Sequence, residues 1–274
     1  MFRSADARLG WGLTAALGLL PPIAVVALGG FMLASALTAL RQVPIAELAS
    51  ATWSPLAGRF GLLPLILGTA TSTVLALLLA VPLGLAAALY LALYAGPRTR
   101  AAADAAVALL GGMPSVVIGL WGMTWIVPAT GNSLAAAVLV LALMITPTFT
   151  LLAGAALRQV PASLVEAARA LGLGEDVAAA LVVRHARWGI LGAATLAATR
   201  GLGEAVAVSM VAGNVGNLPS LLGPVATLTT TLIVEFDGAT GVHRSALYLA
   251  AAVVMALIAA VSLAGRSLQR RGRS

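Results

Sequence analysis

Arg200 and Glu204 stand four positions apart in "TRGLGEAVAV" (199–208), inside a segment otherwise apolar enough to cross a membrane. A guanidinium is planar, permanently charged and able to bind an oxyanion through two parallel hydrogen bonds, so its natural cargo is an anion such as phosphate. A carboxylate beside it can accept a hydrogen bond from a protonated oxyanion, or hold the arginine until an anion displaces it. A third reading is a structural ion pair and nothing more. The i, i+4 spacing predicts both side chains on one helical face. Against the structural pair, arginine ahead of glutamate is the less favourable order, and buried pairs often stabilise no better than apolar residues of equal volume. Gly201 and Gly203 also thin the helix where a second helix or a substrate could approach. A single charge at mid-bilayer costs roughly 2.5 to 17 kcal/mol, so these residues need a partner, water, or both.

A second stretch, "EAARALG" (166–172), offers an acidic start, small residues that permit close approach, and a glycine to end a short helix. An amphipathic helix at the membrane interface would read the same way.

Little else in the chain can do chemistry. All 16 basic residues are arginine, so no P-loop of the form GxxxxGK[ST] exists here. With no cysteine there is no thiolate nucleophile or iron–sulfur site. His185 and His243 fall on opposite membrane faces in the topology below, which leaves no metal site. No catalytic set can be assembled from two distant histidines and nine scattered acids, so an enzyme is not expected.

The elements that must position these residues are membrane spans. Hydrophobic residues make up 61% of the 274, charged residues 9%, and the mean hydropathy is +1.03. That composition predicts an all-α, multi-pass membrane protein, because helices of this length satisfy their own backbone in lipid. Six spans are expected. The first, Leu9 to Leu40, is an anchor about twice the length of a signal-peptide core, with Pro21-Pro22 expected to kink or break it. The second covers about 62–94, the third 105–127, the fourth 134–157, the fifth 188–212 and the last 245–265. "PATGNS" (128–133) separates the third from the fourth. Residues 41–59 and 213–224 read as external segments, 158–187 as the longest polar loop, and 266–274 as a basic, disordered tail.

With both termini inside, twelve arginines lie on the cytoplasmic side (3, 8, 98, 100, 158, 169, 184, 187, 266, 270, 271, 273) and three outside (41, 59, 244). This bias fits the positive-inside rule and sets the orientation. It also explains the net charge of +7 without a nucleic-acid partner.

"EAA" followed by three residues and then Gly172 resembles the coupling signature of permease subunits in bacterial ABC importers. "WSPLAGRFGLLPLILGT" (53–69), "AVPLGLAAALYLALYA" (80–95), "GGMPSVVIGLWGM" (111–123), "ALMITPT" (142–148) and "RGLGEAVAVSMVAGN" (200–214) resemble the PstC-type permease of phosphate importers. The "EF" at 235–236 ahead of "HRSAL" at 243–247 also fits. The resemblance implies a six-span type I ABC-importer transmembrane domain in the inner membrane. It divides into an N-terminal anchor with its external segment (1–60), a permease domain (61–265) holding the coupling loop, and the tail. It implies a second, PstA-like permease, an ATPase dimer that uses ATP and Mg, and a phosphate-binding protein as partners. No cofactor is bound by this chain itself. Arg200 and Glu204 match the residues the family associates with phosphate passage, while Glu166, Ala167, Ala168 and Gly172 match the ATPase-coupling signature. Another oxyanion (molybdate, sulfate or phosphonate) or an ATP-independent anion transporter are the alternatives. Two departures stand out: Val183-Arg184 where the family usually has Leu-Pro, implying a differently shaped docking segment, and Ala205 where it commonly has Thr.

Overall fold

In the computed structural model, which describes residues 3–271, the chain is a helical bundle with one small external hairpin. Helix α1 (Arg3–Gln42) runs unbroken through Pro21 and Pro22. The break expected there is absent, because two missing N–H groups leave the hydrogen bonds on either side to hold the helix. Its outer face is bare and apolar, with Val26 74% exposed, as a lipid-facing helix requires. Helix α2 (Ile45–Leu48) and the two-residue strands β1 (Trp53–Ser54) and β2 (Arg59–Phe60) form the external segment, with Gly58 at φ +68 turning the hairpin.

Helix α3 (Leu63–Leu93) buries Gly68, Ser72, Ala76, Ala80, Gly84 and Ala88, one small residue per turn. That stripe lets another backbone approach closely: a Cβ at Gly84 would meet Phe149 Cδ1 at 2.7 Å. Helices α4 (Pro97–Gly112) and α5 (Ser115–Trp125) meet at an 89° elbow. Here the expected single span at 105–127 is corrected. Pro114 forces Met113 into extended backbone (φ −63, ψ 136), and the chain turns.

After the short α6 (Val127–Thr130), α7 (Leu134–Arg158) starts at Ser133, whose side chain accepts from the Ala136 N–H. It is the most buried span and carries the main core, with Val140, Leu141, Ile145 and Phe149 at 0–1% exposure. The polar stretch at 158–187 is mostly helical, comprising α8 (Ala162–Ala170) and the first three turns of α9 (Glu175–Gly203). The expected fifth span therefore begins earlier than residue 188, and it ends earlier than 212. Helix α10 (Val206–Val211) follows a break, then α11 (Leu228–Glu235) and α12 (Gly241–Arg271). The basic tail continues α12 as helix to Arg271 instead of leaving it, and residues 272–274 lie outside the described residues. Five helices are long and apolar enough to span a membrane, six if α4 and α5 count as one.

Candidate functional site

The motif "TRGLGEAVAV" folds as a helix end. Two glycines within three residues weaken the last turn of α9, and Glu204 leaves the helix with φ −74 and ψ 122. Its Oε1 then accepts the Ala207 N–H at 3.1 Å, satisfying one of the donors that open α10. Its carbonyl accepts the Thr229 hydroxyl at 2.9 Å, tying the break to α11. The expectation of Arg200 and Glu204 on one helical face is therefore wrong, since i, i+4 geometry holds only along an unbroken helix. No ion pair joins them among the described residues.

Arg200 finds other partners. Its Nη1 donates to Thr148 Oγ1 at 2.8 Å and its Nη2 to the Gly111 carbonyl at 3.3 Å. Gly111 lies in the last turn of α4, where carbonyls lack intrahelical donors, and Arg200 itself sits in the last turn of α9. The negative ends of two helix dipoles thus do what a carboxylate was expected to do. Gly201 turns its bare side inward, where a Cβ would stand 3.2 Å from Thr73 Cγ2, so α9 presses against α3 and α7 beside the arginine. Two of the five N–H donors of the half-buried guanidinium are committed to these bonds.

The coupling candidates form a separate unit. In α8, Glu166 and Ala167 are exposed while Ala168 is buried against the bundle. Gly172 ends the helix with φ +71, a left-handed value that glycine adopts without strain. Its N–H donates to the Arg169 carbonyl at 2.9 Å and the Leu173 N–H to the Ala168 carbonyl at 3.1 Å, the paired bonds of a Schellman motif. Arg169 then grips Glu175 across the turn, Nε to Oε1 at 2.8 Å and Nη2 to Oε2 at 3.0 Å. That hydrogen bond holds the Glu175 carboxyl below, and the Arg169 guanidinium above, its ordinary value. An open cleft of about 430 Å³, lined by Arg100, Arg158, Val165, Glu166 and Arg169, separates α8 from the ends of α3 and α7. Val183 and Arg184 lie about a third of the way along α9, so the usual Leu-Pro site is here continuous helix.

Several residues were invisible to motif reading. Thr148 and the Gly111 carbonyl contact Arg200 from 52 and 89 positions away, and no spacing rule reaches that far. On the outer hairpin, Trp53 Nε1 donates to both oxygens of Glu235 at 3.0 and 3.2 Å, and His243 Nε2 lies 2.8 Å from Oε2. This clasp joins β1 to α11 and α12. Among the described residues no group of three or more His, Cys, Asp or Glu could hold a metal.

The family described as binding-protein-dependent transport system inner membrane component matches residues 80–274. A phosphate transport system permease protein PstC of Mesorhizobium japonicum is 31% identical, covering 86% of this chain and 81% of the relative. A PstC of Xylella fastidiosa is 31% identical over 91% of this chain and 86% of the relative. A probable ABC transporter permease protein YqgH of Bacillus subtilis is 36% identical over 72% and 68%. Among solved structures, a chain of the MetNI methionine ABC transporter superposes with TM-score 0.57 at 20% identity, covering 74% of this chain and 90% of that one. That likeness speaks for the fold alone, a type I importer transmembrane domain.

Proposed function

Because the chain belongs to the family of binding-protein-dependent transport system inner membrane components, we propose that it carries inorganic phosphate through an ATP-driven importer. The chain is a multi-pass inner-membrane subunit of an ABC importer, a transport component and not an enzyme. In the proposed complex it pairs with a PstA-like permease, receives phosphate from a binding protein, and opens alternately to either side as an ATPase dimer consumes ATP and Mg. Both termini and the α8–α9 turn face the cytoplasm, in keeping with the arginine bias. Glu166, Ala167, Ala168 and Gly172 engage the ATPase, and α9 runs from that turn to Arg200. Arg200 and Glu204 border the pathway, the first through its charge and the second by shaping the break beside it.

The observation that carries this reading is Arg200: a half-buried guanidinium with no carboxylate partner among the described residues, held by a hydroxyl and a carbonyl. A permanent cation left unneutralised in a membrane helix is matched by an anionic cargo. The PstC relatives favour phosphate as that cargo. The test is labelled-phosphate uptake by the reconstituted importer, competed with sulfate, molybdate and a phosphonate. Arg200→Gln should reduce uptake about a hundredfold, the worth of two charge-assisted hydrogen bonds, while the complex still assembles. Normal uptake by that variant removes Arg200 from the pathway, and stronger competition by another oxyanion replaces phosphate as the cargo.

A further inference from the structure

The three threonines of "ITPTFT" in α7 do not use their hydroxyls alike. Thr146 donates to the Ala142 carbonyl at 2.6 Å, and Thr150 donates to the Thr146 carbonyl at 2.8 Å. Both turn back on the preceding turn, as threonines in apolar helices do to spend a proton that lipid cannot accept. Thr148 lies between them and does not. Its Oγ1 accepts from Arg200 Nη1 at 2.8 Å, and its own proton has no acceptor among the described residues. Thr148 is half-buried, as is the guanidinium it holds.

This arrangement has a direction. A hydroxyl whose lone pair is occupied by a cationic donor is polarised to donate more strongly in its turn. Arg200 is fixed on the other side by the Gly111 carbonyl, so its remaining N–H groups and the Thr148 O–H are donors with nothing between them to satisfy. Pro147, next to Thr148, packs against α4 at the end that supplies that carbonyl: a Cβ at Gly111 would stand 3.5 Å from Pro147 Cβ. The elbow, the proline turn of α7 and the end of α9 therefore hold one guanidinium and one hydroxyl in fixed relation.

We propose that Thr148 and Arg200 together form a donor subsite for a tetrahedral oxyanion, in which the Thr148 hydroxyl donates to one oxygen while the guanidinium binds another. The proposal rests on the phosphate-importer reading and adds a ligand to it. Thr148 contributes a neutral hydrogen bond that depends on where an oxygen sits, whereas Arg200 contributes charge to any anion.

The test uses the importer reconstituted with its partner subunits and measures initial rates of labelled phosphate uptake, with sulfate and molybdate as separate labelled cargoes. Thr148→Val keeps the shape and removes the hydroxyl; it should raise KM for the transported oxyanion about tenfold or more, the worth of one hydrogen bond to a charged group. Thr148→Ser restores the hydroxyl and should return KM to within about threefold of wild type. Thr146→Val removes a hydroxyl already committed to Ala142 and should leave KM unchanged. Uptake by Thr148→Val with wild-type KM, or equal losses in Thr148→Val and Thr146→Val, overturns the subsite and leaves the importer reading standing. If the wild-type complex moves none of the three oxyanions, the importer reading fails and the subsite fails with it.

Discussion

Glu204 offers the sharpest check on the reasoning, because its two replacements separate shape from charge. In the structure its Oε1 accepts the Ala207 N–H at 3.1 Å, and Ala207 is fully buried, so no water can replace that acceptor. Glu204→Ala leaves this N–H unpaired, which costs about 1 to 2 kcal/mol. Glu204→Gln keeps an oxygen at the same reach and loses only the charge at the start of α10, about 0.5 kcal/mol. For a chain of this size the thermal midpoint should fall by about 2 to 6 °C for alanine and by about 2 °C or less for glutamine. Differential scanning of the purified complex reads both, and uptake should follow the same order, with glutamine close to wild type. An alanine variant as stable as wild type would refute the capping role. A glutamine variant that is stable yet inactive would assign the charge itself to transport.

Gly172→Ala tests the turn that ends α8. The new Cβ meets nothing within 4 Å, so the cost is backbone strain alone at φ +71, about 1 kcal/mol. Hydrogen exchange at positions 172 and 173 should quicken about fivefold, and Gly172→Asn should be milder; unchanged exchange contradicts the Schellman assignment. The same turn should respond to acid. Arg169 lowers the Glu175 carboxyl by a hydrogen bond and by its charge, so the pair's contribution is complete above the ordinary carboxylate range and is lost as pH falls through the depressed value. Protection of the amides across 171–174, taken relative to their intrinsic exchange rates, should therefore fall as the pH drops below the ordinary carboxylate range, and Glu175→Gln should abolish that dependence.

The long spans were legible because bilayer thickness sets their length: α3 at Leu63–Leu93 and α7 at Leu134–Arg158 fall within two residues of what uninterrupted apolar runs predict. The elbow at Pro114 was present in the letters "GGMPS" but hidden in a run without charge, where nothing in composition separates a bent helix from a straight one. The polar stretch announced that it was not a span. It did not announce a helix-turn-helix, because Arg169 and Glu175 pair across a left-handed glycine and not along a helical face. At the site, Arg200 was found by its charge, while its partners Thr148 and Gly111 come from other helices. Glu204 was found for the wrong geometric reason: the spacing rule assumes the helix that its own glycines interrupt.

Helix α9 is continuous and carries no proline between Glu175 and Gly203. From Glu175 to Arg200 the helix is then a stiff shaft about 38 Å long at 1.5 Å per residue. A twist applied at the turn is carried to the far end through a continuous helical backbone. With side-chain tips about 5 Å from the axis, a 15° twist carries the guanidinium roughly 1.3 Å sideways. Directed away from Thr148, that displacement stretches the 2.8 Å bond to about 4.1 Å, beyond hydrogen-bond range. The hold of Arg200 on Thr148 and the posture of the α8–α9 turn are, mechanically, settings of one dial.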